Sequence, residues 1–459
     1  MATLSECLSA ETSGAIPLVP LTRASLSPWL ERNPAQREWL EVTGFGAEPG
    51  SVAFLPPANG EPVRVLVGRG TDEPVWMFAG LPATLPEGLY AIQDDLDRDR
   101  ATAAALGWAL GAYEFTRYKA SKRTPARLVW PARADRAEVE RLARGITLAR
   151  DLINTPSEDM GPAQLLEAGA AVAAEAGAAV RVLRGDELLE HNYPTVHAVG
   201  RASARAPGLL DFSWGDARAP RVTLVGKGVC FDTGGLNIKP RDGMLQMKKD
   251  MGGAAIVLGL AQALMAAGTP IRLRVLIPAV ENAIAGNALR PLDIIRTRAG
   301  KTVEIGNTDA EGRLILCDAL AEADSESPEL LIDCATLTGA ARIALGPEVQ
   351  AFFCDDEALA RTLQETGLRC GDPLWRLPLW RPYRKLIEGK CADLNNVAAS
   401  PYAGSVIAAL YLAEFVSRAK SWAHVDLMAA NTRARPGRPE GGEATGLRAL
   451  YHTIRERFR

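Results

Sequence analysis

The sequence predicts an α/β protein with a small N-terminal α/β domain and a larger C-terminal α/β domain, in which helices flank a central mixed sheet. Two observations lead to this class. The 459 residues exceed the roughly 100–200 residues of one ordinary domain. A long amphipathic helix divides the chain, and beyond it apolar strand-like runs alternate with helical patterns. We therefore expect domains at 1–128 and 156–459, joined by a bridging helix at 129–155.

In the first domain, short apolar runs that end at Pro or Gly predict strands at 51–60, 63–70 and 74–82. A stretch rich in Ala predicts a helix at 101–118. The bridging helix is predicted between Pro131 and Pro156, because Val139, Leu142 and Ile146 recur at the helical interval of three or four residues. Nothing in this domain indicates a chemical function.

In the larger domain, apolar runs predict four buried strands, and helical patterns lie between them. The strands are expected at 221–226, 271–280, 329–337 and 422–430, and the helices at about 251–267 and 311–323. Alternation of this kind favours a parallel or mixed sheet that is covered by helices on both faces.

The composition excludes several classes of protein. The chain has 52 basic and 55 acidic residues, and this near-balance does not favour nucleic-acid binding. Seven cysteines, an odd number without a C-x-x-C motif, are typical of a reducing compartment. Residues 1–17 lack the pattern of a secretory signal, and the most apolar run, 252–268, is shorter than the ~20 residues of a membrane span. We expect a soluble cytoplasmic protein.

Two polar segments in apolar surroundings, 224–255 and 304–320, contain the candidate chemistry. The first directly follows a predicted strand, where catalytic loops of α/β proteins converge. Together the segments contain Asp232, Asp250, Asp309 and Glu311, whereas the whole chain has four histidines and no H-E-x-x-H motif. Clustered carboxylates suit a pair of divalent ions with bridging ligands, to which a neutral lysine amine could add a nitrogen.

Each of these residues also has a simpler interpretation when it is taken alone. Asp250 and Asp309 each precede a predicted helix, where an acid commonly caps the N-terminus. Lys227 and Lys239 would ordinarily be surface lysines. His424, within an apolar strand, is interpreted as a core residue.

Three segments together resemble the leucyl aminopeptidase family of cytosolic metallo-exopeptidases, peptidase family M17. They are NTDAEGRL at 307–314, GKGVCFDTGGLNIKP at 226–240 and MKKDMGGAA at 247–255. Weaker similarity extends over about 150–459. The resemblance implies a cytoplasmic enzyme that removes N-terminal amino acids from peptides with a free N-terminus. It also implies a homo-hexamer, two divalent ions per subunit (Mn²⁺ or Zn²⁺, with Mg²⁺ as a third candidate) and a bicarbonate ion.

The resemblance also implies roles for individual residues. One metal would be bound by Lys227, Asp232, Asp250 and Glu311. The second would be bound by Asp232, Asp309 and Glu311, so that Asp232 and Glu311 bridge the two ions. Lys239 would act as an electrophile and Arg313 would hold the bicarbonate as a base. The substrate pocket would include Met247, Thr336, Leu337 and Gly339.

One departure from the family pattern concerns that pocket. The family usually has Asp-Ile-Ala-Gly where this chain has Asp426, Leu427, Met428 and Ala429, so a preference for leucine does not follow from the resemblance. Two other classes stay open. An acid-rich two-metal site also suits an amidase or a phosphoesterase. Some members of the family bind DNA, although the near-neutral charge of this chain counts against a binding role.

Overall fold

The computed structural model describes residues 4–57, 63–70 and 74–459. The contacts between α-carbons divide the chain into two compact units. The first consists of Met1–Thr147, Arg369–Gly371 and Arg433–Glu440, and the second of Leu148–Leu368, Asp372–Thr432 and Gly441–Arg459.

The first unit contains a six-stranded sheet with helices packed around it. Its strands are β1 (Leu8–Ser9), β2 (Ile16–Leu21), β3 (Val52–Leu55), β4 (Arg64–Gly68), β5 (Leu89–Ile92) and β6 (Arg127–Val129). The strand order is β1-β6-β5-β2-β4-β3, and every pair is parallel except β3 with β4. The helices are α1 (Leu4–Cys7), α2 (Arg23–Arg32), α3 (Arg37–Thr43), α4 (Leu81–Thr84), α5 (Arg98–Gly111) and α6 (Arg136–Asn154).

Two of the three strands predicted in this unit are confirmed, as β3 and β4; the end of the first prediction, at 58–60, lies outside the described residues. The prediction of a strand at 74–82 is wrong. The segment forms a 3-10 turn at Pro74–Trp76 and then α4. Its apolar residues are buried because the segment packs on α5, where Gly107 and Gly111 let the main chain approach closely. An apolar run that ends at Pro and Gly therefore does not imply a sheet partner here.

The two predicted helices of the N-terminal half are present with different ends. The helix predicted at 101–118 runs from Arg98 to Gly111, and the carboxylate of Asp97 caps it by accepting from Arg100 N at 2.8 Å. The helix predicted between Pro131 and Pro156 is α6, which begins only after Asp135, whose Oδ1 accepts from Glu138 N at 3.0 Å. The division between the two units falls within α6, after Thr147.

The second unit contains most of the strands. They are β7 (Ala179–Arg184), β8 (Gly208–Trp214), β9 (Arg221–Gly226), β10 (Gly228–Asp232), β11 (Arg272–Asn282), β12 (Ile294–Arg296), β13 (Thr302–Glu304), β14 (Leu330–Ala335), β15 (Gln350–Cys354), β16 (Leu374–Arg376), β17 (Leu394–Asn395), β18 (Trp422–Asp426), β19 (Ala430–Asn431) and β20 (Gly441–Gly442). Nine of them form one sheet in the order β16-β15-β18-β14-β9-β11-β8-β7, with β10 beside β11. The others form a three-stranded sheet, β12-β13-β17, and the pair β19-β20.

The large sheet is mixed, as the sequence predicts. Its four central strands, β18, β14, β9 and β11, are mutually parallel, whereas β8 and β15 run antiparallel to their neighbours β11 and β18. All four strands predicted for this domain are confirmed, although β14 and β18 end earlier, at Ala335 and Asp426. The carboxyl ends of the parallel strands therefore meet at one edge of the sheet, where loops that carry polar residues begin.

Helices cover the large sheet. They are α7 (Pro162–Glu175), α8 (Glu187–Glu190), α9 (Pro194–Gly200), α10 (Arg241–Met244), α11 (Gly252–Ala266), α12 (Glu311–Ser325), α13 (Gly339–Leu345), α14 (Glu357–Arg369), α15 (Gly404–Ala413) and α16 (Leu447–Arg457). The predicted helices at 251–267 and 311–323 are confirmed as α11 and α12. Both pack on β9, β11 and β14, but α11 has α7 and α16 as neighbours whereas α12 has α9 and α15. This pattern puts α11 and α12 on opposite faces. In the described part of the chain, no helix is both long and apolar enough to span a membrane.

Candidate metal centre and active site

Lys227 lies at a break between two collinear strands. β9 pairs with β14 as far as Gly226 opposite Cys334, and the N–H of Lys227 donates to Cys334 O at 3.0 Å. β10 then pairs only with β11. The side chain of Lys227 is buried, with Nζ 2.7 Å from Asp250 Oδ2 and 3.0 Å from Glu311 Oε1. Nζ also donates to Thr336 O at 3.0 Å, so the ammonium has three partners.

Asp232 ends β10 and is oriented by hydrogen bonds to one of its two oxygens. Oδ1 accepts from Gly234 N and from Asn282 Nδ2, both at 2.8 Å, while Oδ2 lies 2.8 Å from Lys239 Nζ. Gly234 has a φ of +85°, and a Cβ there would lie 2.8 Å from Asp309 Oδ1. The turn after Asp232 therefore requires a glycine, both for its backbone conformation and for space.

Asn282, the last residue of β11, links the two polar segments of the sequence. Its Nδ2 donates to Asp232 Oδ1 and also to Thr308 O, at 3.1 Å. This residue was not identified from the sequence. The sequence shows only that Asn282 is a polar residue just beyond a predicted apolar strand. Nothing in the sequence indicates which loops its side chain joins.

Asp309 and Glu311 complete the acidic cluster. Asp309 Oδ1 lies 2.6 Å from Lys239 Nζ, and Glu311 is the first residue of α12. Oxygen atoms of Asp232, Asp309 and Glu311 all lie within 4.8 Å of one another. Asp250 lies on the other side of Lys227, where its Oδ1 accepts from Thr336 Oγ1 at 2.7 Å. The structure thus brings together all four predicted acids and both predicted lysines.

Burial and mutual charge shift the titration of this cluster. Burial, together with the neighbouring carboxylates, raises the pKa of Glu311 to about 8 and raises that of Asp232. Burial alone would lower the pKa of Lys227 and of Lys239, but the surrounding carboxylates outweigh it and raise both. Burial would raise the pKa of Asp250, yet Lys227 and Lys249 hold it below its ordinary value. Ionised carboxylates at this density therefore depend on positive charge close to them.

The donor set fits divalent cations. Carboxylate oxygens are the ligands that Mg²⁺ and Mn²⁺ prefer, and Zn²⁺ also accepts them. One oxygen, Glu311 Oε2, is buried and receives no hydrogen bond from any residue that the structure describes. A buried carboxylate oxygen without a donor is costly, and a metal ion would satisfy it.

Arg313 lies two residues beyond Glu311 on α12. Its Nη1 donates to Asn396 O, and within the described residues the remaining guanidinium nitrogens make no hydrogen bond. Burial lowers the pKa of Arg313. Asn396 also holds the loop before α12, since its Oδ1 accepts from Gly306 N at 2.8 Å and its Nδ2 donates to Asn307 O at 2.7 Å. Asn396 was not identified in the sequence.

Of the four residues predicted for the substrate pocket, Thr336 contacts the cluster directly. Thr336 contacts Asp250 as described, and the N–H of Leu337 donates to Asp426 Oδ1 at 3.0 Å. A Cβ at Gly339 would meet no atom within 4 Å, so this residue faces open space. Met247, like Met428, is partly exposed.

His424 lies in the core, as predicted. Its Nδ1 is 2.6 Å from Asp333 Oδ1, and its ring stacks on Phe353 with centroids 5.8 Å apart.

A mixed α/β sheet with a buried cluster of acids and lysines at the carboxyl ends of its strands is typical of metal-dependent hydrolases. The comparison with protein families narrows this class. The model of the cytosol aminopeptidase family, catalytic domain, matches residues 147–451. The model of the M17 aminopeptidase N-terminal domain matches residues 16–131. The chain therefore belongs to the cytosol aminopeptidase family, M17, and is a leucyl aminopeptidase-like metalloaminopeptidase that removes N-terminal residues.

Individual relatives and structures agree with this assignment. A probable cytosol aminopeptidase of Geobacter sulfurreducens is 36% identical over 459 residues, covering 96% of this chain and 89% of the relative. Peptidase B of Cronobacter sakazakii is 43% identical over 331 residues, covering 70% and 77%. The crystal structure of the cytosol aminopeptidase from Coxiella burnetii has a TM-score of 0.95 and 47% identity, covering 99% of this chain and 100% of that one. The bottromycin maturation enzyme BotP in complex with Mn has a TM-score of 0.87 and 33% identity, covering 97% and 100%.

Proposed function

We propose that this chain hydrolyses the first peptide bond of peptides with a free N-terminus at a two-metal centre. The observation that supports the proposal is the convergence of four carboxylates and two lysines at the carboxyl edge of the sheet, where each carboxylate lies within hydrogen-bond distance of a lysine ammonium. When bound, two divalent ions would polarise the scissile carbonyl and lower the pKa of a water molecule toward neutrality.

The proposed ligands divide into two overlapping sets. Lys227, Asp232, Asp250 and Glu311 would hold one ion, and Asp232, Asp309 and Glu311, with the main-chain carbonyl of Asp309, would hold the other. The close approach of oxygens from Asp232, Asp309 and Glu311 supports the second set, and the contacts of Lys227 with Asp250 and Glu311 support the first. A nearby dication would depress the pKa of Lys227 and allow its amine to serve as a ligand. Mn²⁺ or Zn²⁺, or alternatively Mg²⁺, suits these donors.

Lys239 is proposed as the electrophile. Its Nζ contacts Asp232 and Asp309, and its side chain keeps 15% of its surface exposed, whereas Lys227 keeps 3%. Lys239 is therefore the lysine that a substrate can reach. Its ammonium would stabilise the negative charge that develops on the scissile carbonyl oxygen, a role in which a positioned charge is most effective.

Arg313 is proposed to hold a bicarbonate ion that serves as the base. All four carboxylates of the cluster are assigned to metal binding, which leaves no free carboxylate there for proton transfer. The planar guanidinium fork suits a planar oxyanion. The contact of Arg313 with Asn396 O uses only one nitrogen of the guanidinium, which supports a role in binding bicarbonate.

The proposal also includes the domain boundaries, the localisation and the oligomeric state of the protein. The boundaries 1–128, 129–155 and 156–459 remain our division of the chain, supported by the two family models at 16–131 and 147–451. Cytoplasmic localisation is supported by the names of the relatives. A homo-hexamer is supported by the family resemblance alone.

The decisive experiment is a screen of protein reconstituted separately with Mn²⁺, Zn²⁺ or Mg²⁺. The substrates are aminoacyl-aminomethylcoumarins, their N-acetylated counterparts, amino-acid amides and p-nitrophenyl phosphate. We expect metal-dependent hydrolysis of the free-amine compounds only, because the proposed mechanism requires the α-amine to bind a metal. Equal hydrolysis of blocked and free substrates would refute the mechanism. Hydrolysis of the phosphate ester alone would favour a phosphoesterase, and salt-sensitive retention of DNA without hydrolysis would favour a binding role.

A further inference from the structure

Asn396 is a fully buried residue that directly follows β17. Its N–H donates to Glu304 O of β13 at 3.1 Å. Its side-chain Oδ1 accepts from Gly306 N at 2.8 Å and from Asn307 N at 3.2 Å, while Nδ2 donates to Asn307 O at 2.7 Å. Both the main chain and the side chain of Asn396 are therefore fixed to the segment 304–307.

The carbonyl of Asn396 points away from that segment and accepts from Arg313 Nη1. This carbonyl shares one planar peptide unit with the N–H of Val397, which donates to Asn395 Oδ1 at 3.0 Å. The peptide unit is thus held on its other side as well. The direction of the acceptor for Arg313 is set by hydrogen bonds that do not involve Arg313.

The segment that Asn396 holds leads directly into α12, the helix that carries Arg313. Asn307 Oδ1 accepts from Asp309 N at 2.8 Å, and Asn307 O accepts from Ala310 N at 3.2 Å. The turn before the helix is therefore ordered by its own hydrogen bonds. Asn396 contacts this turn through its side chain and the guanidinium of Arg313 through its carbonyl, so it relates the start of α12 to the far end of the Arg313 side chain.

The loops that contain Gly306 and Asn396 pack too closely to move independently. A Cβ on Gly306 would overlap Asn395 Oδ1 and would lie 2.6 Å from Val397 Cγ2. Within the part of the chain that the structure describes, Asn396 O is the only hydrogen-bond partner of Arg313. A long side chain has many rotamers, so this one anchor decides how the guanidinium is oriented.

We propose that Asn396 is a positioning residue that holds the guanidinium of Arg313 in the orientation that hydrolysis requires. This inference rests on the proposed function, because it assigns to Asn396 an effect on a residue of the proposed mechanism. Among the described residues, Asn396 makes no hydrogen bond to a proposed metal ligand or pocket residue. Its effect on the reaction therefore passes through Arg313.

The test is a double-mutant cycle of Asn396→Asp and Arg313→Met. Aspartate has the shape of asparagine, but it has no donor for Asn307 O and places a carboxylate oxygen against that carbonyl. We expect Asn396→Asp to lower kcat roughly 10- to 100-fold, with the KM and the metal content of the wild type. The double variant should have the kcat of Arg313→Met alone, because misplacing Arg313 and removing it abolish the same contribution.

The matched control is Asn395→Asp, which introduces the same charge one residue away. Asn395 Oδ1 accepts from Val397 N, and a carboxylate accepts that bond as well, so kcat should equal that of the wild type. Hydrogen exchange gives a readout that does not depend on turnover. The amide protons of Gly306 and Asn307 should exchange faster in Asn396→Asp than in the wild type or in the control.

The outcomes separate this inference from the proposed function. With an active wild type, effects of Asn396→Asp and Arg313→Met that multiply, or a loss of metal in Asn396→Asp, would overturn the inference and leave the proposed function intact. Unchanged kcat or unchanged exchange in Asn396→Asp would also overturn it. If Asn396→Asp does not fold, Gly306→Ala takes its place in the cycle, because the added Cβ forces the two loops apart.

Two results would reach further than the inference. Wild-type kcat in Arg313→Met would remove Arg313 from the mechanism and the role of Asn396 with it. A wild-type protein that hydrolyses no aminoacyl substrate would refute the proposed function itself, and the positioning role would fall with it.

Discussion

Replacing Gly312 by alanine tests how closely the position of Lys227 controls activity. A Cβ on Gly312 would lie 2.7 Å from Lys227 Cε and 2.8 Å from its Nζ. Ordinary contact begins at 3.4 Å, so Cε has to retreat by 0.7 Å to reach it, the difference between 3.4 and 2.7. Lys227 cannot retreat freely, since Asp250, Glu311 and Thr336 O hold its Nζ from three directions.

This displacement exceeds the ~0.5 Å within which a catalytic arrangement has to be held. We therefore expect Gly312→Ala to lower kcat/KM roughly 100-fold and to reduce the metal content. Stability should change little, because alanine favours the helix by up to about 1 kcal/mol over glycine and so offsets part of the strain.

The assay measures kcat/KM with an aminoacyl-aminomethylcoumarin, metal content by mass spectrometry and Tm by circular dichroism. The matched control is Gly286→Ala, because Gly286 is exposed and a Cβ there meets nothing within 4 Å. Wild-type kcat/KM and full metal content in Gly312→Ala would show that the position of Lys227 does not control activity or metal binding.

Three further predictions address other parts of the site and core. Asp232→Asn should lose both metals, since Asp232 is the proposed bridge, and full occupancy by mass spectrometry would contradict that role. Arg313→Met should keep its metals but lower kcat by roughly 100-fold or more; an unchanged kcat would remove Arg313 from the mechanism. Burial opposes the charged form of His424, but Asp333 outweighs it and raises the pKa of His424 above its ordinary 6.5. That stabilisation is fully present below pH 6.5 and is lost as the pH rises through the folded-state pKa. The unfolding free energy of His424→Gln, measured in urea against pH, should therefore decline less above pH 6.5 than that of the wild type, and identical slopes would disprove the argument.

The sequence predicted the large domain better than the small one. The strands of the large domain are long apolar runs buried on both faces, and the structure confirms all four. The run at 74–82 was misassigned because an apolar segment that packs on a helix resembles a short strand in the sequence. The conformation of this segment depends on its tertiary contact with α5, which no local sequence pattern reveals.

The same limit applies to the site. The acids and lysines were identified because they lie in compact segments that resemble a known family. Asn282 and Asn396 were not identified, since each acts on residues far away in the chain: Asn282 is 50 residues from Asp232, and Asn396 is 89 from Asn307.

The hydrogen bonds of Asn282 bear on how the protein loses its active site on heating. Asn282 belongs to β11, which pairs with β8, β9 and β10, and its amide holds the loops of Asp232 and Thr308. Those loops also hold each other, since Asn237 N donates to Thr308 Oγ1 and Thr308 N to Asn237 Oδ1, both at 2.9 Å. The two irregular loops thus form one cooperative unit with the middle of the sheet. Their amide protons should exchange with deuterium as slowly as those of β11, so inactivation would require global opening of the domain and would not begin by fraying at the loops.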